Sequence, residues 1–316
     1  MSNRICKMLK INFPIIQGGM GNISNATLTA AVSEAGGLGT IGSGTMTPEK
    51  VREIIVETKQ KTDKPFAVNI AINVSPYTDR LMETVIEERV PVVSLSAGNP
   101  APYIPVLQEN GIKVLAIVAA VKHAEKAAEA GADALVAEGF EAAGINSNLE
   151  LTTMTLIPQI AKRVTIPVIA AGGIGDGHGL AAALMLGAEG VQMGTRFIAT
   201  QEAPFHENYK NAVIDASDTA TNIIGRSVGQ TRRVITNEYA EAIKEQERAG
   251  LSLEDFQALT TEMQHVKGAV EGDFKKGFIN GGQISGLVES VPAVKELIEE
   301  MMQEAKTQLE KVRQIL

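Results

Sequence analysis

The 316-residue sequence predicts a (β/α)8 TIM barrel with a small C-terminal helical domain. Three observations carry that expectation. Apolar runs of four to six residues alternate with helical patterns from Phe13 onward. The runs number eight, ending with Gly190–Met193. The last two open into glycines or a Gly-Thr pair, and phosphate loops after strands 7 and 8 belong to this barrel.

The runs are Phe13–Gln17, Leu38–Ile41, Phe66–Ile70, Val90–Ser94, Val114–Val118, Ala134–Ala137, Ile166–Ala171 and Gly190–Met193. They are rich in Val and Ile and do not alternate with polar residues, as strands buried on both faces read. Helical patterns lie between them at Asn25–Ala35, Thr47–Lys61, Thr78–Arg89, Ala101–Asn110, Val121–Ala130, Thr153–Arg163 and Gly177–Leu186. Several end in glycine stop signals, such as Glu34-Ala-Gly-Gly and Met185-Leu-Gly. Eight strand–helix units in series favour a barrel over an open doubly wound sheet.

The rhythm changes after Phe197. Pro204–Ala216 reads as the eighth helix, so residues 1–216 form the barrel. Residues 217–289 read as a polar, mostly helical insertion without strand rhythm. Its helices are expected at Asn237–Ala249, Ser252–Glu262, with Ser252 as N-cap, and Gln264–Glu271. Its glycine-dense end, Gly281-Gly282-Gln283, is expected to reach over the barrel mouth as a lid. Residues 290–316 read as one amphipathic helix packing back on the barrel.

Composition narrows the function. Hydrophobic residues make up 44% of the chain, enough for a sizeable core. The net charge of −8 comes from acidic residues spread along the chain, and no basic patch suggests nucleic acid. The single cysteine, Cys6, excludes a disulfide framework or a cysteine-built metal site and reads as an incidental thiol. Neither a signal peptide nor a membrane-length apolar stretch is evident, so the expected location is cytoplasmic.

Chemistry in a barrel gathers where strands end. Those ends carry Gln17-Gly-Gly-Met20, Gly42-Ser-Gly, Asn69, Ser96-Ala-Gly-Asn-Pro100, Glu138-Gly139, Gly172-Gly173 and Gln192-Met-Gly194-Thr195. What converges is backbone N–H, two amides (Asn69, Gln192), one carboxylate (Glu138) and hydroxyls. No metal-ligand spacing is present, and no metal is expected. Such a lining suits a planar, hydrogen-bonding ring with a phosphate tail, and flavin mononucleotide (FMN) fits both ends. None of the four histidines reads as a general base. His123 lies on a helix surface, His178 in a solvated loop, His206 at a helix start, and His265 in the insertion without an assigned place.

Several segments carry a resemblance: Pro14-Ile-Ile-Gln-Gly-Gly-Met20, Ala35-Gly-Gly-Leu-Gly39, Lys64-Pro-Phe-Ala-Val-Asn69, Ala97-Gly-Asn-Pro100, Ala137-Glu-Gly139, Ile166-Pro-Val-Ile-Ala-Ala-Gly-Gly-Ile174, Met193-Gly-Thr-Arg-Phe197 and Gly282-Gln-Ile-Ser-Gly-Leu287. Together they resemble the nitronate monooxygenase / enoyl-ACP reductase II family over nearly the whole chain. The resemblance implies an FMN-bound barrel under a helical domain, with NADH or NADPH as electron donor. It places Gly19, Met20, Asn69, Glu138, Gly172, Gly173, Gly194 and Thr195 on FMN, and Gln192 and Gln283 join that expected set.

One departure stands out. Many members carry a catalytic His after Glu-Gly-x-Glu-Ala; this chain reads Glu141-Ala-Ala-Gly-Ile-Asn-Ser-Asn148, with Ile145 at that position. Asn146, Ser147 and Asn148 are the nearby polar candidates, but a neutral amide is no general acid. The leading expectation is NAD(P)H-dependent reduction of an enoyl thioester, with a small-molecule or acyl-thioester substrate and acyl carrier protein as a carrier. Segment Leu151-Thr-Thr-Met-Thr-Leu156 points that way. The alternatives are a nitronate monooxygenase or NAD(P)H:quinone reductase, and a flavin-binding protein without turnover. A homodimer is the expected assembly; nucleic acid and membranes are not expected partners.

Overall fold

The computed structural model describes residues 3–315 and contains the barrel. Its strands are β1 (Ile15–Gln17), β2 (Gly39–Gly42), β3 (Phe66–Ala71), β4 (Val92–Ser96), β5 (Lys113–Val118) and β6 (Ala134–Glu138). A two-residue strand outside the barrel, β7 (Gly144–Ile145), follows, and β8 (Val168–Ala171) and β9 (Gly190–Met193) complete the ring. The order is β1-β9-β8-β6-β5-β4-β3-β2 with every pairing parallel. The ring closes through an Ile16–Leu38 bridge, with Gln17 N–H donating to the Leu38 carbonyl at 2.9 Å.

Strand alternation sorts the core into two layers. Ile16, Leu38, Ala67, Val92, Leu115 and Ile169 form one cluster with Ile5, Leu9 and Ile11. This is the barrel interior, plugged by α1 (Arg4–Leu9), a helix the sequence reading did not foresee. Their neighbours Ile15, Val93, Leu135, Ala170 and Val191 belong to the larger cluster shared with the surrounding helices. Those helices are α2 (Ala26–Glu34), α3 (Pro48–Lys61), α4 (Thr78–Glu87), α5 (Ile104–Glu109), α6 (Val121–Glu129), α7 (Thr153–Ala161) and α8 (Gly177–Met185). A short α9 (Thr195–Ile198) precedes α10 (Glu207–Ile214), which starts three residues later than expected at Pro204 because the His206 ring accepts the Asn208 N–H as its cap.

The segment after α10 corrects the expectation of a strandless insertion. Strands β10 (Thr221–Ile224), β11 (Arg232–Ile235) and β12 (Ile279–Asn280) form an antiparallel sheet, and β7 joins it on β11. Strands this short, one of them beginning with two arginines, leave almost no alternation to read. Helices α11 (Glu238–Arg248) and α12 (Leu253–Leu259) pack on the sheet through Ile224, Val234, Ala240, Ile243, Phe256 and Phe278, and α13 (Glu262–Ala269) lies against β12. Ser252 caps α12 as expected, accepting the Asp255 N–H at 3.1 Å. The expected helix to Glu262 instead breaks at Thr260-Thr261, and Glu262 opens α13.

The last helix, α14 (Val294–Ile315), lies on α8. Its buried stripe is Val294, Leu297, Ile298, Met301 and Ala305. Glu304 accepts the Gly177 N–H at 2.7 Å and pairs with His178 at 2.7 Å, so His178 sits on α8 against α14. Among the described residues no helix is long and apolar enough to cross a membrane.

Candidate active site

A cavity of about 850 Å³ opens at the carboxyl ends of the barrel strands, and the appended sheet and α13 form its far wall. Of the expected cofactor residues, Gly19, Met20, Asn69, Glu138, Gly172, Gly173, Gln192, Gly194 and Thr195 all line it. Gln283 does not: its side chain is exposed, and its backbone N–H donates to the Glu141 carbonyl at 3.0 Å. Its neighbour Gly282 does line the cavity, and donates its N–H to the Thr195 hydroxyl at 3.0 Å. The 281–283 turn thus touches the barrel mouth through backbone, not through the amide side chain.

The strand ends present donors. Gly172 and Gly173 hold φ of 95° and 72°, a region glycine enters without steric cost. Their N–H groups reach no protein acceptor among the described residues. At Gly194 a Cβ would meet nothing within 4 Å. Unpaired N–H groups beside open space are what a phosphate requires. Next to them, Asn69 is pinned by its Nδ2 to Ser94 and Ser96 at 3.2 Å. Burial pushes the Glu138 carboxyl up to about 7, and no protein group hydrogen-bonds it among the described residues. A carboxyl in that state can donate as well as accept at neutral pH. Donors for a phosphate at one end, and an amide with an unpaired carboxyl further in, fit the flavin nucleotide that the sequence reading placed here.

The loop after β6 carries Ile145, and the appendage holds that loop. Arg233 donates twice to the Phe140 carbonyl, at 3.0 and 3.1 Å, and lies over the Phe140 ring at 4.9 Å. Gly144 pairs with Arg233 and Ile145 with Arg232. Ile145, Asn146 and Ser147 line the cavity. The Asn146 amide is spent on the Ala142 carbonyl at 2.7 Å, and Asn148 faces the appendage, donating to the Gly229 carbonyl at 2.8 Å.

A polar group that sequence reasoning missed closes the cavity: Arg232, Glu262, His265 and Asn280. His265 stacks on Phe278 with centroids 5.4 Å apart, and Arg232 lies over the same ring at 4.9 Å. Asn280 Oδ1 accepts from Arg232 at 3.4 Å while its Nδ2 lies 3.3 Å from His265 Nε2. Burial alone would raise the Glu262 carboxyl. The His265 ring and the Arg232 guanidinium, each 3.9 Å away, and the Asn22 N–H at 3.3 Å outweigh it and hold the group at about 2. His123 also borders the cavity, as an exposed side chain on α6. The only three-residue group of metal-ligand type among the described residues is Asp176, His178 and Glu304. There Asp176 caps α8 and Glu304 accepts the Gly177 N–H and pairs with His178, so helix packing accounts for the group.

Comparison with known proteins decides the family. The nitronate monooxygenase family model matches residues 2–83 and 70–304. The chain belongs to the nitronate monooxygenase family. It is 45% identical to FabK from Thermotoga maritima, with a TM-score of 0.93 and full coverage of both chains. It is 34% identical to the (3aS,4S,5R,7aS)-5-hydroxy-7a-methyl-1-oxo-octahydro-1H-indene-4-carboxyl-CoA dehydrogenase of Mycobacterium tuberculosis, covering 97% of this chain and 96% of that one. A probable nitronate monooxygenase of Staphylococcus saprophyticus is 34% identical over 78% of this chain and 81% of its own length. These relatives are oxidoreductases. Within the family frame, the strand-end glycines and amides were legible because they sit beside apolar runs. Arg232, Glu262, His265 and Asn280 come from a segment whose local signals were helix patterns and glycine density at its end, neither of which points to a shared site.

Proposed function

We propose that this member of the nitronate monooxygenase family is an FMN-dependent oxidoreductase that reduces an enoyl thioester with electrons from NADH or NADPH. The observation that carries the reading is the end-to-end likeness to FabK, an enoyl-ACP reductase II, joined to end-to-end likeness to a carboxyl-CoA dehydrogenase. Both point to thioester substrates, on a small acyl carrier protein or on coenzyme A. When bound, FMN would supply the hydride chemistry.

The chain's own residues do the rest. Gly172, Gly173, Gly194 and Thr195 would hold the phosphate through backbone N–H. Asn69 and Gln192 would orient the ring. Glu138, its carboxyl raised to about 7 by burial, would offer the ring a hydrogen-bonding group from within the barrel. The Gly282–Thr195 bond keeps the appendage over the mouth and limits water.

A second reading is nitronate oxidation or quinone reduction, favoured by the family-model match and the staphylococcal relative. Binding of flavin without turnover is the third, motivated by Ile145. An anaerobic screen separates them. The expected protein is yellow, is bleached by NADH or NADPH, and regains colour with crotonyl-CoA but not with quinones. Bleaching by an alkyl nitronate, or recovery with quinone alone, would replace the enoyl reading with the second. Protein that takes up no FMN would defeat all three.

A further inference from the structure

Four polar residues, Arg232, Glu262, His265 and Asn280, line the far wall of the cavity and lie outside the set expected to hold the cofactor. Two of them are buried, His265 at 3% exposed and Arg232 at 7%, and the Glu262 side chain beside them is 13% exposed. Burying an Arg, a Glu and a His together is costly unless they are paired or serve a ligand. The pairing here is loose. Both carboxylate contacts are 3.9 Å, longer than hydrogen bonds, and Arg232 has one 3.4 Å bond to Asn280. Donor capacity therefore remains on Arg232 and His265, and both residues line the cavity.

Their position is equally specific. Arg232 is the cross-strand partner of Ile145, so the two side chains emerge on one face of the small sheet. An apolar residue on the barrel loop is thus answered, on the next strand, by a cation with a histidine behind it. Phe278 spaces the two, with the His265 ring on one contact and the guanidinium on the other. Tyr209 donates to the Asn280 carbonyl at 2.5 Å and fixes the residue that bridges them.

We infer that Arg232 and His265 form the substrate-oxygen site of this enzyme, with His265 as the proton donor and Glu262 and Asn280 as positioning residues. The ligand class is a carbonyl compound that becomes an enolate, and the inference rests on the enoyl-thioester reading for its full reaction. In that reaction a hydride, drawn ultimately from NADH or NADPH, adds to the β-carbon. The C=C electron pair becomes a new double bond between the α-carbon and the carbonyl carbon, and the C=O π pair moves to the thioester oxygen, which Arg232 stabilises. The enolate then collapses, and its α-carbon takes a proton from the His265 imidazolium. Solvent reprotonates the ring. One hydride and one proton are consumed and the double bond becomes a single bond.

The test uses flavin-loaded full-length protein with His265→Gln, and with Asn280→Ala as a milder second variant. Flavin content and melting temperature establish folding. Acetoacetyl-CoA, a thioester with no double bond to reduce, reports the oxygen site through the near-ultraviolet absorbance of its enolate. Wild type is expected to hold the ligand as enolate and His265→Gln to lose that band. Reoxidation by crotonyl-CoA should slow at least about 100-fold in His265→Gln, the scale of a lost general acid, with the loss absent from reduction by NADH. If folded His265→Gln keeps both the band and the reoxidation rate, the inference is overturned; wild type that never binds acetoacetyl-CoA overturns it too. Wild type that shows the His265-dependent band but reduces no enoyl thioester keeps the oxygen site and removes the enoyl reading.

Discussion

Ile145 lies directly opposite Arg232 in the antiparallel ladder between β7 and β11. The residue at the position where the sequence resemblance leads one to expect a histidine is therefore part of a contact between barrel and appendage. The loop after β6 is built into the appended sheet, and the cavity wall is continuous from Ala142 to Ile145 and on to Arg232. What the barrel loop lacks in proton chemistry, the facing strand and helix offer.

Replacing Ile145 should therefore matter little. It is 48% exposed, so Ile145→Ala is expected to cost less than about 1 kcal/mol. An alkyl side chain moves no proton, so turnover should change less than about threefold. Arg233→Ala should behave differently. It removes two bonds to the Phe140 carbonyl, one to Thr221, and the contact over Phe140. A loss of about 2–3 kcal/mol in urea unfolding is expected, with faster hydrogen exchange across residues 139–147. Equal exchange in both variants would contradict the anchoring role of Arg233.

The barrel was legible because strands covered on both faces read as unbroken Val/Ile runs, and helix stops such as Ala35-Gly-Gly punctuate them. Nine of the ten expected cofactor positions reach the cavity for the same reason: each sits where a legible strand ends. Gln283 was misplaced because a glycine-rich turn fixes its backbone near the mouth without saying which way a side chain leaves. The appended sheet was hidden by its length, since two- and four-residue strands give too few positions for a period. His265 was unreadable for a different reason. Its chemistry depends on Arg232 and Asn280, residues 33 and 15 positions away in sequence, which only the fold brings together.

The phosphate assignment has a clean probe at Gly194. Its φ of −108° suits any residue, and a Cβ there meets nothing within 4 Å. Gly194→Asp should thus leave the cofactor-free protein's melting temperature nearly unchanged while placing a negative charge beside the expected phosphate. The predicted result is colourless protein after purification and at least about tenfold weaker FMN binding by fluorescence titration, a penalty near 1.4 kcal/mol. Full flavin occupancy would move the phosphate elsewhere in the cavity. Gly173 is a poorer probe, because its φ of 72° strains any side chain before charge is considered.

Glu138 predicts a pH dependence of stability. Burial raises its carboxyl from an ordinary 4.5 to about 7 in the folded chain. The folded state therefore holds a proton that the unfolded state has released between those values. By linkage, that contribution is fully present below about 4.5 and is lost as pH rises through about 7. Cofactor-free wild type should lose melting temperature across this window, and Glu138→Gln, neutral throughout, should lose less. Parallel pH profiles for the two proteins would show that the carboxyl ionises freely in the fold.

The contact between α8 and α14 is the tightest test of how the C-terminal helix is seated. A Cβ on Gly177 would lie 2.5 Å from the Glu304 Cβ and 2.6 Å from the Met301 carbonyl oxygen and the Ala305 nitrogen. Two of those three are backbone atoms, so no rotamer relieves the clash. Gly→Ala inside a helix normally gains up to about 1 kcal/mol. Gly177 is the first residue of α8, where that gain is smaller, and overpacking of this kind costs about 1–3 kcal/mol. The overpacking term should win. Gly177→Ala is expected to lower the melting temperature by several degrees and to expose α14 to limited proteolysis, because the Glu304 bonds to Gly177 and His178 cannot both persist once the helices part. Met185→Ala, on the same helix but 66% exposed, serves as the control and should change neither. A Gly177→Ala protein as stable and as protease-resistant as that control would mean α14 is not held by this contact.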